Sequence, residues 1–392
     1  MNLDYANILS DRIQKTKPSG IRKFFDIAAG VPDIISLSVG EPDFKTPWEV
    51  RMEAIRVLEQ GKTTYTGNSG LGALRKAASD YLSRTIHTEY DPESELIVTV
   101  GGSEAIDISI RALVNAGDEV IVPEPCFVSY SPIVELTGGV SVPAVTRAED
   151  NFKLTPDILK PLISPKTKAI ILSFPNNPTG AVMRRDELEQ IAQILRGTNI
   201  MIISDEIYSE LTYGEPHVSI VELDGMRERT VIVNGFSKAF AMTGWRLGFA
   251  AAPRQVAEQI LKLHQYAIMC SPTVSQYAAI TALTSPGVMN EVYDMVAEYN
   301  SRREFLLKSL KQIGLDCFTP EGAFYAFPSI KSTRMSSEEF CTRLIREKKI
   351  AVVPGDAFGE SGEGFIRISY AYSIAHLTTA VERIGEFLSV NN

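Results

Sequence analysis

This chain of 392 residues contains few histidines and has no excess of positively charged residues. Its four histidines are scattered, at His87, His217, His264 and His376. Their spacing matches no metal-ligand pattern, so we expect no metal site. The formal net charge is -9. This acidic balance argues against a protein that binds nucleic acid or an anionic membrane surface.

The cysteines and the N-terminus exclude further classes. The four cysteines are Cys126, Cys270, Cys317 and Cys341. They contain no CxxC pair, so neither a disulfide framework nor a zinc site is indicated. The first 20 residues mix charged and apolar side chains and lack the apolar core of a signal peptide, and we find no transmembrane segment. We therefore expect a cytoplasmic protein in a reducing compartment.

The chain does contain a series of short apolar, β-branched runs separated by helix-like segments. The runs are LIVTV (96–100), EVIVP (119–123), AIILSF (169–174), IMIISD (200–205), TVIVNGF (230–236) and LGFAAA (247–252). Apolar runs without alternation are typical of parallel strands that are buried on both faces. The pattern predicts an α/β fold whose large domain has a mostly parallel central sheet covered by helices.

The sequence pattern changes near residue 285, where a long helical run leads into GAFYAFPSI and GFIRISYA. This change predicts a smaller α+β domain at the C-terminus. We expect three parts: an N-terminal segment (1–47) that packs with the small domain and the cleft, a large cofactor-binding domain (48–285), and a small domain (286–392).

Chemically distinctive residues follow the predicted strands. They are Gly101, Gly102 and Ser103 after the first run, Asn177 in PNNPTG, Asp205 and Tyr208 in SDEIY, and Ser237, Lys238 and Arg246 in SKAFAMTGWRLG. Open α/β sheets bind ligands beyond the carboxyl ends of their strands, so we expect these residues to converge.

One ligand would use all of these groups. A glycine turn at a helix start, with Ser237 and Arg246, suits a phosphate. Asp205 would pair with a cationic nitrogen, Asn177 and Tyr208 would donate to a phenolate oxygen, and Lys238 would react with an aldehyde. These requirements describe pyridoxal 5′-phosphate. GNSGLG (67–72) follows no strand, which disfavours a dinucleotide fingerprint.

Taken singly, each residue has an ordinary structural explanation. Asp205 could cap the next turn, and Asn177 could be a turn residue before a proline. Lys238 could be solvated. Three further candidates are Arg367 in GFIRISYA, which could form a surface ion pair, and Tyr65 in TTYTGNSG and Phe127 after EVIVP, which could be core aromatics. Their joint occurrence at strand ends favours the cofactor site.

Several motifs together resemble fold-type I, class I aminotransferases that use pyridoxal phosphate. The motifs are SKAFAMTGWRLG, PNNPTG, SDEIY, GFIRISYA, SLSVGEPDFKTP and YTGNSGLGALR. The resemblance covers nearly the whole chain from about Gly20 and implies an aspartate-aminotransferase-like fold. SGIRKF, SDEIYSELTY and HQY are most similar to bacterial aminotransferase A, N-acetyl-diaminopimelate aminotransferase or aromatic aminotransferase.

The resemblance also implies a role for each matching residue. Lys238, Asp205 and Tyr208 are the catalytic residues: Lys238 carries the cofactor and moves the α-proton, and Asp205 binds the pyridine nitrogen. Cofactor-binding residues are Gly102, Ser103, Phe127, Asn177, Asp205, Tyr208, Ser237, Lys238 and Arg246, joined by Tyr65 of the partner subunit. Substrate-binding residues are Gly40, Asn177 and Arg367. Some relatives have a phosphate-binding serine where this chain has Gly235, so we expect a sparser phosphate cup.

The implied function is a ping-pong transfer of an amino group between an L-amino acid and a 2-oxo acid in a homodimer with shared sites. Glutamate and 2-oxoglutarate are expected as one pair, and acidic, aromatic and diaminopimelate-type donors stay open. One alternative is a C–S β-lyase on the same fold, although such relatives usually show DEIH in place of DEIY. A cofactor-binding regulator would need a DNA-binding module, for which the roughly 20 residues before the resemblance are too few.

Overall fold

A seven-stranded sheet dominates the computed structural model, which describes residues 3, 5–21, 24, 27 and 30–391. Part of the SGIRKF stretch lies outside the described residues. The strands of all the sheets, in chain order, are β1 Ile35–Ser36, β2 Leu96–Thr99, β3 Glu119–Glu124, β4 Val140–Val145, β5 Thr167–Ser173, β6 Met201–Asp205, β7 Thr230–Gly235, β8 Gly248–Ala251, β9 Tyr325–Ala326, β10 Ile350–Ala351, β11 Val353–Pro354 and β12 Ile366–Ser369. The order in the large sheet is β2-β8-β7-β6-β5-β3-β4.

The sheet is parallel from β4 to β7, as the apolar runs predict. At the other edge, β8 is antiparallel to both β7 and β2, so the sheet is mostly parallel, as predicted. No α-helix lies between β7 and β8, so the chain turns back beside β7 without the crossover that a parallel pair needs. β4 was not predicted, because its sequence VSVPAV is partly exposed and contains Pro143, which an edge strand tolerates.

Helices cover both faces of the sheet. The α-helices in the described part of the chain are α1 Tyr5–Ile8, α2 Asp11–Lys15, α3 Trp48–Glu59, α4 Gly72–Thr85, α5 Gly101–Leu113, α6 Tyr130–Thr137, α7 Pro156–Leu159, α8 Arg185–Leu195, α9 Arg254–Ala267, α10 Thr273–Thr284, α11 Pro286–Gln312, α12 Ser337–Lys348 and α13 Ile374–Asn391. Residues of α5, α6 and α9 share one core with the sheet, and residues of α3, α4 and α10 share another. Burial on both faces explains why the strands carry uninterrupted apolar runs.

A second unit is built from the remaining strands with α12 and α13. β12 lies between β11 and β9 in an antiparallel sheet, and β1 pairs with β10 in parallel. Leu37 of the N-terminal segment shares a core with the C-terminal residues. α11 joins the two units, because Val288 and Val292 pack in the core of the large sheet while Leu306 and Leu310 pack in the C-terminal core. The boundaries at 47/48 and 285/286 stay predictions.

Within the described part of the chain, no helix combines the length and the apolar character that crossing a membrane requires.

Candidate active site

A cleft of about 820 Å³ lies at the carboxyl ends of the parallel strands. All but one of the residues predicted for the site line it: Gly40, Gly102, Ser103, Phe127, Asn177, Asp205, Tyr208, Ser237, Lys238, Arg246 and Arg367. The exception is Tyr65, whose side chain is 80% exposed on the surface of the single chain. Their convergence comes from the sheet, because parallel strands bring their carboxyl ends to one edge.

Asp205 ends β6 at the floor of the cleft. The strand register places it beside Ser173 of β5 and Val233 of β7. The Tyr130 hydroxyl donates to Asp205 Oδ2 at 2.7 Å, and the Ile207 amide donates to Oδ1 at 3.2 Å. Burial raises the pKa of the Asp205 carboxyl to about 6, although both hydrogen bonds act in the opposite direction. A cationic nitrogen at this point would stabilise the carboxylate.

Lys238 follows β7 and reaches into the same cleft. Its Nζ donates to the carbonyl oxygen of Gly40 at 2.6 Å. Burial lowers the pKa of the Lys238 amine to about 8; Glu41 acts in the opposite direction, while Arg367 and Arg246 lower the pKa further. A buried lysine with a lowered pKa is partly neutral near pH 8, which is the form that reacts as a base or nucleophile.

The N-terminus of α5 forms the corner that would suit a phosphate. Gly102 and Ser103 lie in its first turn, with Ser237 and Arg246 lining the same cleft. Gly101 has a φ of +75°, and a Cβ built on it would lie 2.7 Å from Arg246 Nη2. Only glycine therefore allows the guanidinium to approach the helix so closely. Free backbone amides and the helix dipole at such a terminus favour an anion.

Gly235 has a structural explanation in this chain. A Cβ at this position would lie 2.9 Å from the Cα of Gly248, its partner in the neighbouring strand. A serine at position 235 would not fit between β7 and β8 without a backbone shift. The sparser phosphate cup stays a prediction.

Arg367 lies on β12 and is 2% exposed. Its Nη1 donates to Asn177 Oδ1 at 2.9 Å and its Nη2 donates to the Ser38 carbonyl at 2.6 Å. Its Nε is buried without a hydrogen-bond partner. Burial lowers the pKa of the guanidinium. A buried cation with an unpaired donor that lines an open cleft is suited to a small carboxylate.

Three further residues of the site were not singled out from the sequence. Tyr130 contacts Asp205, Tyr325 lies 2.9 Å from the Tyr208 hydroxyl, and Glu41 lines the cleft near Lys238. Tyr130 lies three residues after Phe127, and Tyr325 lies inside GAFYAFPSI. Neither position carries a local signal, because each reaches the site through a contact with a residue distant in sequence.

These groups fit pyridoxal phosphate. Asp205 offers a buried acid for the ring nitrogen, Lys238 a buried amine for the aldehyde, and the α5 terminus a set of donors for the phosphate. The unpartnered Nε of Arg367 leaves a donor for a substrate carboxylate. Among the residues that the structure describes, no cluster of three or more metal-ligating side chains occurs.

Comparison with known proteins agrees with this chemistry. The family described as "Aminotransferase class I and II" matches residues 32–384. The Bacillus subtilis protein YugH is 54% identical over 383 residues, covering 98% of this chain and 99% of YugH. An aspartate aminotransferase of Pyrococcus abyssi is 46% identical, covering 97% of this chain and 98% of that protein.

A solved structure is similar over the same length. The aromatic aminotransferase of Pyrococcus horikoshii has a TM-score of 0.90 with 43% sequence identity. The match covers 94% of this chain and 99% of that structure. The large sheet and the smaller C-terminal unit therefore occur together in a solved relative.

Proposed function

The chain belongs to the class I and II aminotransferase family, and from this premise we propose that its cleft holds pyridoxal phosphate on Lys238. Proteins of this family depend on that cofactor. The chain is therefore an aminotransferase that moves an amino group between an L-amino acid and a 2-oxo acid in a ping-pong sequence. The observation that carries the site assignment is the buried Lys238 amine at the strand ends, in a cleft that also holds Asp205.

The cofactor, when bound, accepts the electron pair left at the substrate α-carbon and carries the amino group between the two half-reactions. We assign the binding and orientation of the cofactor to side chains of the cleft. We assign Asp205 to the ring nitrogen, where its carboxylate would hold a proton by a charge-assisted bond. Tyr208 and Asn177 would donate to the ring oxygen. Gly102, Ser103, Ser237 and Arg246 would hold the phosphate, with Phe127 against the ring.

Lys238 has a second task in this assignment. Its amine would remove a proton from the substrate α-carbon and deliver it to the aldehyde carbon of the cofactor within the same half-reaction, and the second half-reaction would run this transfer in reverse. A base must be neutral, and burial lowers the pKa of Lys238 to about 8, which makes the neutral amine accessible near physiological pH. Glu41 opposes that shift, so a substrate that screens Glu41 would favour the neutral form.

Arg367 is assigned to the α-carboxylate of every substrate. The planar guanidinium suits a bidentate carboxylate, and its fixed position orients the bond to the α-hydrogen. Gly40 lines the same part of the cleft, and Asn177 holds the guanidinium through Nη1.

The donor is not fixed by these residues. One matched relative is named an aspartate aminotransferase and another an aromatic aminotransferase. We propose glutamate and 2-oxoglutarate as one pair, with the second amino acid open. The C–S β-lyase alternative is not favoured, because the matched family and relatives carry aminotransferase names.

We also propose a homodimer with shared sites. Helix α3 buries Val50, Ala54 and Val57 on one side. On its other side it exposes Trp48, Met52, Ile55 and Leu58. An apolar stripe on both sides of one helix is typical of a helix that packs against its own core and a second chain. The exposed Tyr65 fits a residue that serves the partner's cleft.

The cellular compartment is proposed from the cysteines. All four are free thiols in the structure, and Cys126 and Cys341 are buried. Free thiols are typical of a reducing compartment such as the cytoplasm.

Reductive trapping tests the site assignment. The purified protein, treated with borohydride and digested, should carry the reduced cofactor on Lys238 by mass spectrometry. Lys238→Ala should abolish amino transfer and remove the adduct, while Lys45→Ala, which changes an exposed lysine, should retain both. An adduct on another lysine would contradict the assignment. A panel of acidic, aromatic and diaminopimelate donors, followed by half-transamination spectra, would identify the second substrate.

A further inference from the structure

We infer that Tyr325 is a positioning residue that fixes the direction of the Tyr208 hydroxyl toward the cofactor. The inference rests on the proposed function, because it assumes that Tyr208 faces the cofactor ring. Tyr325 lies on β9 and pairs with Ser369 of β12, two residues from Arg367. Its side chain is 1% exposed, yet it lines the cleft.

The two phenols form a hydrogen-bonded pair, and a ligand that accepts from Tyr208 would set its direction. The hydroxyl oxygens of Tyr208 and Tyr325 lie 2.9 Å apart, and either could donate to the other. A phenol has a single O–H and two acceptor lone pairs. If Tyr208 donates its proton to the cofactor ring oxygen, the proton between the two phenols must come from Tyr325. Tyr325 then acts as the donor that leaves the Tyr208 proton available for the cleft.

Tyr325 would also strengthen the hydrogen bond that Tyr208 donates to the cofactor. A hydroxyl that accepts a hydrogen bond becomes a better donor in turn. Burial raises the pKa of both phenols, so both remain protonated. The charged and titratable groups that act on the pair are Arg367, Asp205 and Glu41.

Gly40 shows how tightly the Tyr325 hydroxyl is placed. A Cβ built on Gly40 would lie 2.3 Å from Tyr325 Oη, but 3.4 Å from Cζ and 3.6 Å from Cε1. The phenolic oxygen alone therefore prevents a side chain at position 40. The same Gly40 accepts a hydrogen bond from Lys238 Nζ through its carbonyl. Glycine at this position leaves room for the Tyr325 hydroxyl beside the lysine.

The ring of Tyr325 has a separate contact. The Arg367 guanidinium carbon lies 4.5 Å from the centroid of the Tyr325 ring and 4.8 Å from that of Phe358. A phenylalanine at position 325 keeps this ring and removes only the hydroxyl. The substitution therefore separates the pair with Tyr208 from the support of Arg367.

The first experiment compares Tyr325→Phe with Tyr370→Phe. Tyr370 is also fully buried, and its hydroxyl contacts the Ala323 carbonyl at 3.3 Å and the Tyr213 side chain, but it does not line the cleft. In the Tyr325→Phe holoenzyme, the visible absorbance of the lysine-bound cofactor should titrate with a midpoint higher by roughly half a pH unit, because the ring oxygen loses part of its donor. The kcat should fall while the KM of amino donors stays within about twofold, since the ring beside Arg367 remains.

Tyr370→Phe should titrate like the wild type. An unchanged midpoint in Tyr325→Phe, with the protein folded by circular dichroism, would overturn the inference. So would an equal shift in both variants. These results are distinct from failure of the proposed function, which would appear as a wild type without a reducible adduct on Lys238.

The second experiment uses the steric relation between positions 40 and 325. Gly40→Ala should displace the Tyr325 hydroxyl and shift the absorbance midpoint in the same direction as Tyr325→Phe. The double variant should behave like Tyr325→Phe alone, because the oxygen that meets the new Cβ is gone. Additive effects in the double variant would show that Gly40 does not act through the Tyr325 hydroxyl.

Discussion

Asp205 is a buried carboxylic acid whose surroundings would be stabilised by a positively charged partner. Without one, burial raises its pKa despite the donors Tyr130 and Ile207. The Tyr130 hydroxyl also lies 2.8 Å from Ser173 Oγ, which fixes the phenol between two partners. The carboxylate is therefore oriented before any ligand binds, which reduces the reorganisation required on binding.

The sign of the Asp205 shift gives a stability prediction for the cofactor-free protein. The unfolded carboxyl releases its proton near its ordinary pKa of 3.8, and the folded one near pH 6. Between these values the folded state binds more protons, so stability falls as pH rises through this window. Above it the cost is about 3 kcal/mol. Cofactor-free Asp205→Asn should lack this fall and be more stable than the wild type near pH 7.

Urea unfolding of both cofactor-free proteins near pH 4 and pH 7 measures the difference. The same variant should retain the cofactor but transfer amino groups more slowly, by a factor on the order of 10²–10⁴ in single turnovers. Equal pH dependence in the two proteins would contradict the buried charge. Near-wild-type single-turnover rates would exclude the assignment to the ring nitrogen.

At the scale of elements, two short strands of the C-terminal unit complete the cleft. β12 carries Arg367 and β9 carries Tyr325, and their antiparallel pairing aligns Ile368 with Ala326 and Ser369 with Tyr325. The guanidinium is thus held from the sheet, from Asn177 of the large unit and from Ser38 of the N-terminal segment. An anion bound by Arg367 would contact elements from both units, so we expect substrate to favour closure.

The substitution Arg367→Lys tests the role of the planar guanidinium group that these elements hold. Lysine keeps the charge but cannot bind a carboxylate through two parallel donors. The loss of transition-state binding free energy, calculated from kcat/KM, should be about 2–4 kcal/mol for acidic and aromatic donors alike. This is the scale of breaking a buried charged pair. Steady-state kinetics on both donor classes measure this loss. A loss confined to dicarboxylic substrates would show that Arg367 binds the substrate side chain instead.

At the scale of the whole molecule, a single chain leaves its cleft without the predicted contribution of Tyr65. Tyr65 is exposed, as are Tyr266 and Met269 farther along the chain. Asn68 and Met269 lie together, because the Asn68 amide donates to the Met269 carbonyl at 2.9 Å. An exposed surface that contains a predicted phosphate ligand supports assembly from two chains with sites built from both.

Subunit mixing tests the shared site. Tyr65→Phe and Lys238→Ala proteins should each transfer amino groups poorly. In a mixed dimer one site would carry both changes and the other neither, so each mixed dimer should have about half the wild-type activity. Random subunit exchange in an equal mixture makes about half of the dimers mixed, so the mixture should recover about a quarter of the wild-type activity. Sedimentation analysis verifies the dimer. Absence of recovery would place Tyr65 outside the partner's site.

The sequence by itself determined the fold class and most of the proposed site. Apolar strands that end in Asn177, Asp205 and Lys238 carry their chemistry locally, and a parallel sheet brings such ends together whatever lies elsewhere. For that reason the predicted residues other than Tyr65 line one cleft.

Contacts between distant parts of the chain were decided only by the tertiary structure. Tyr130 and Asp205 are 75 residues apart, Tyr208 and Tyr325 are 117 apart, and Arg367 and Asn177 are 190 apart. No local pattern marks either tyrosine, because packing alone decides which phenol meets which partner. The reversal of β8 and the absence of room at Gly235 likewise depend on neighbouring strands. The shifted pKa values of Asp205 and Lys238 require burial, which exists only in the folded chain.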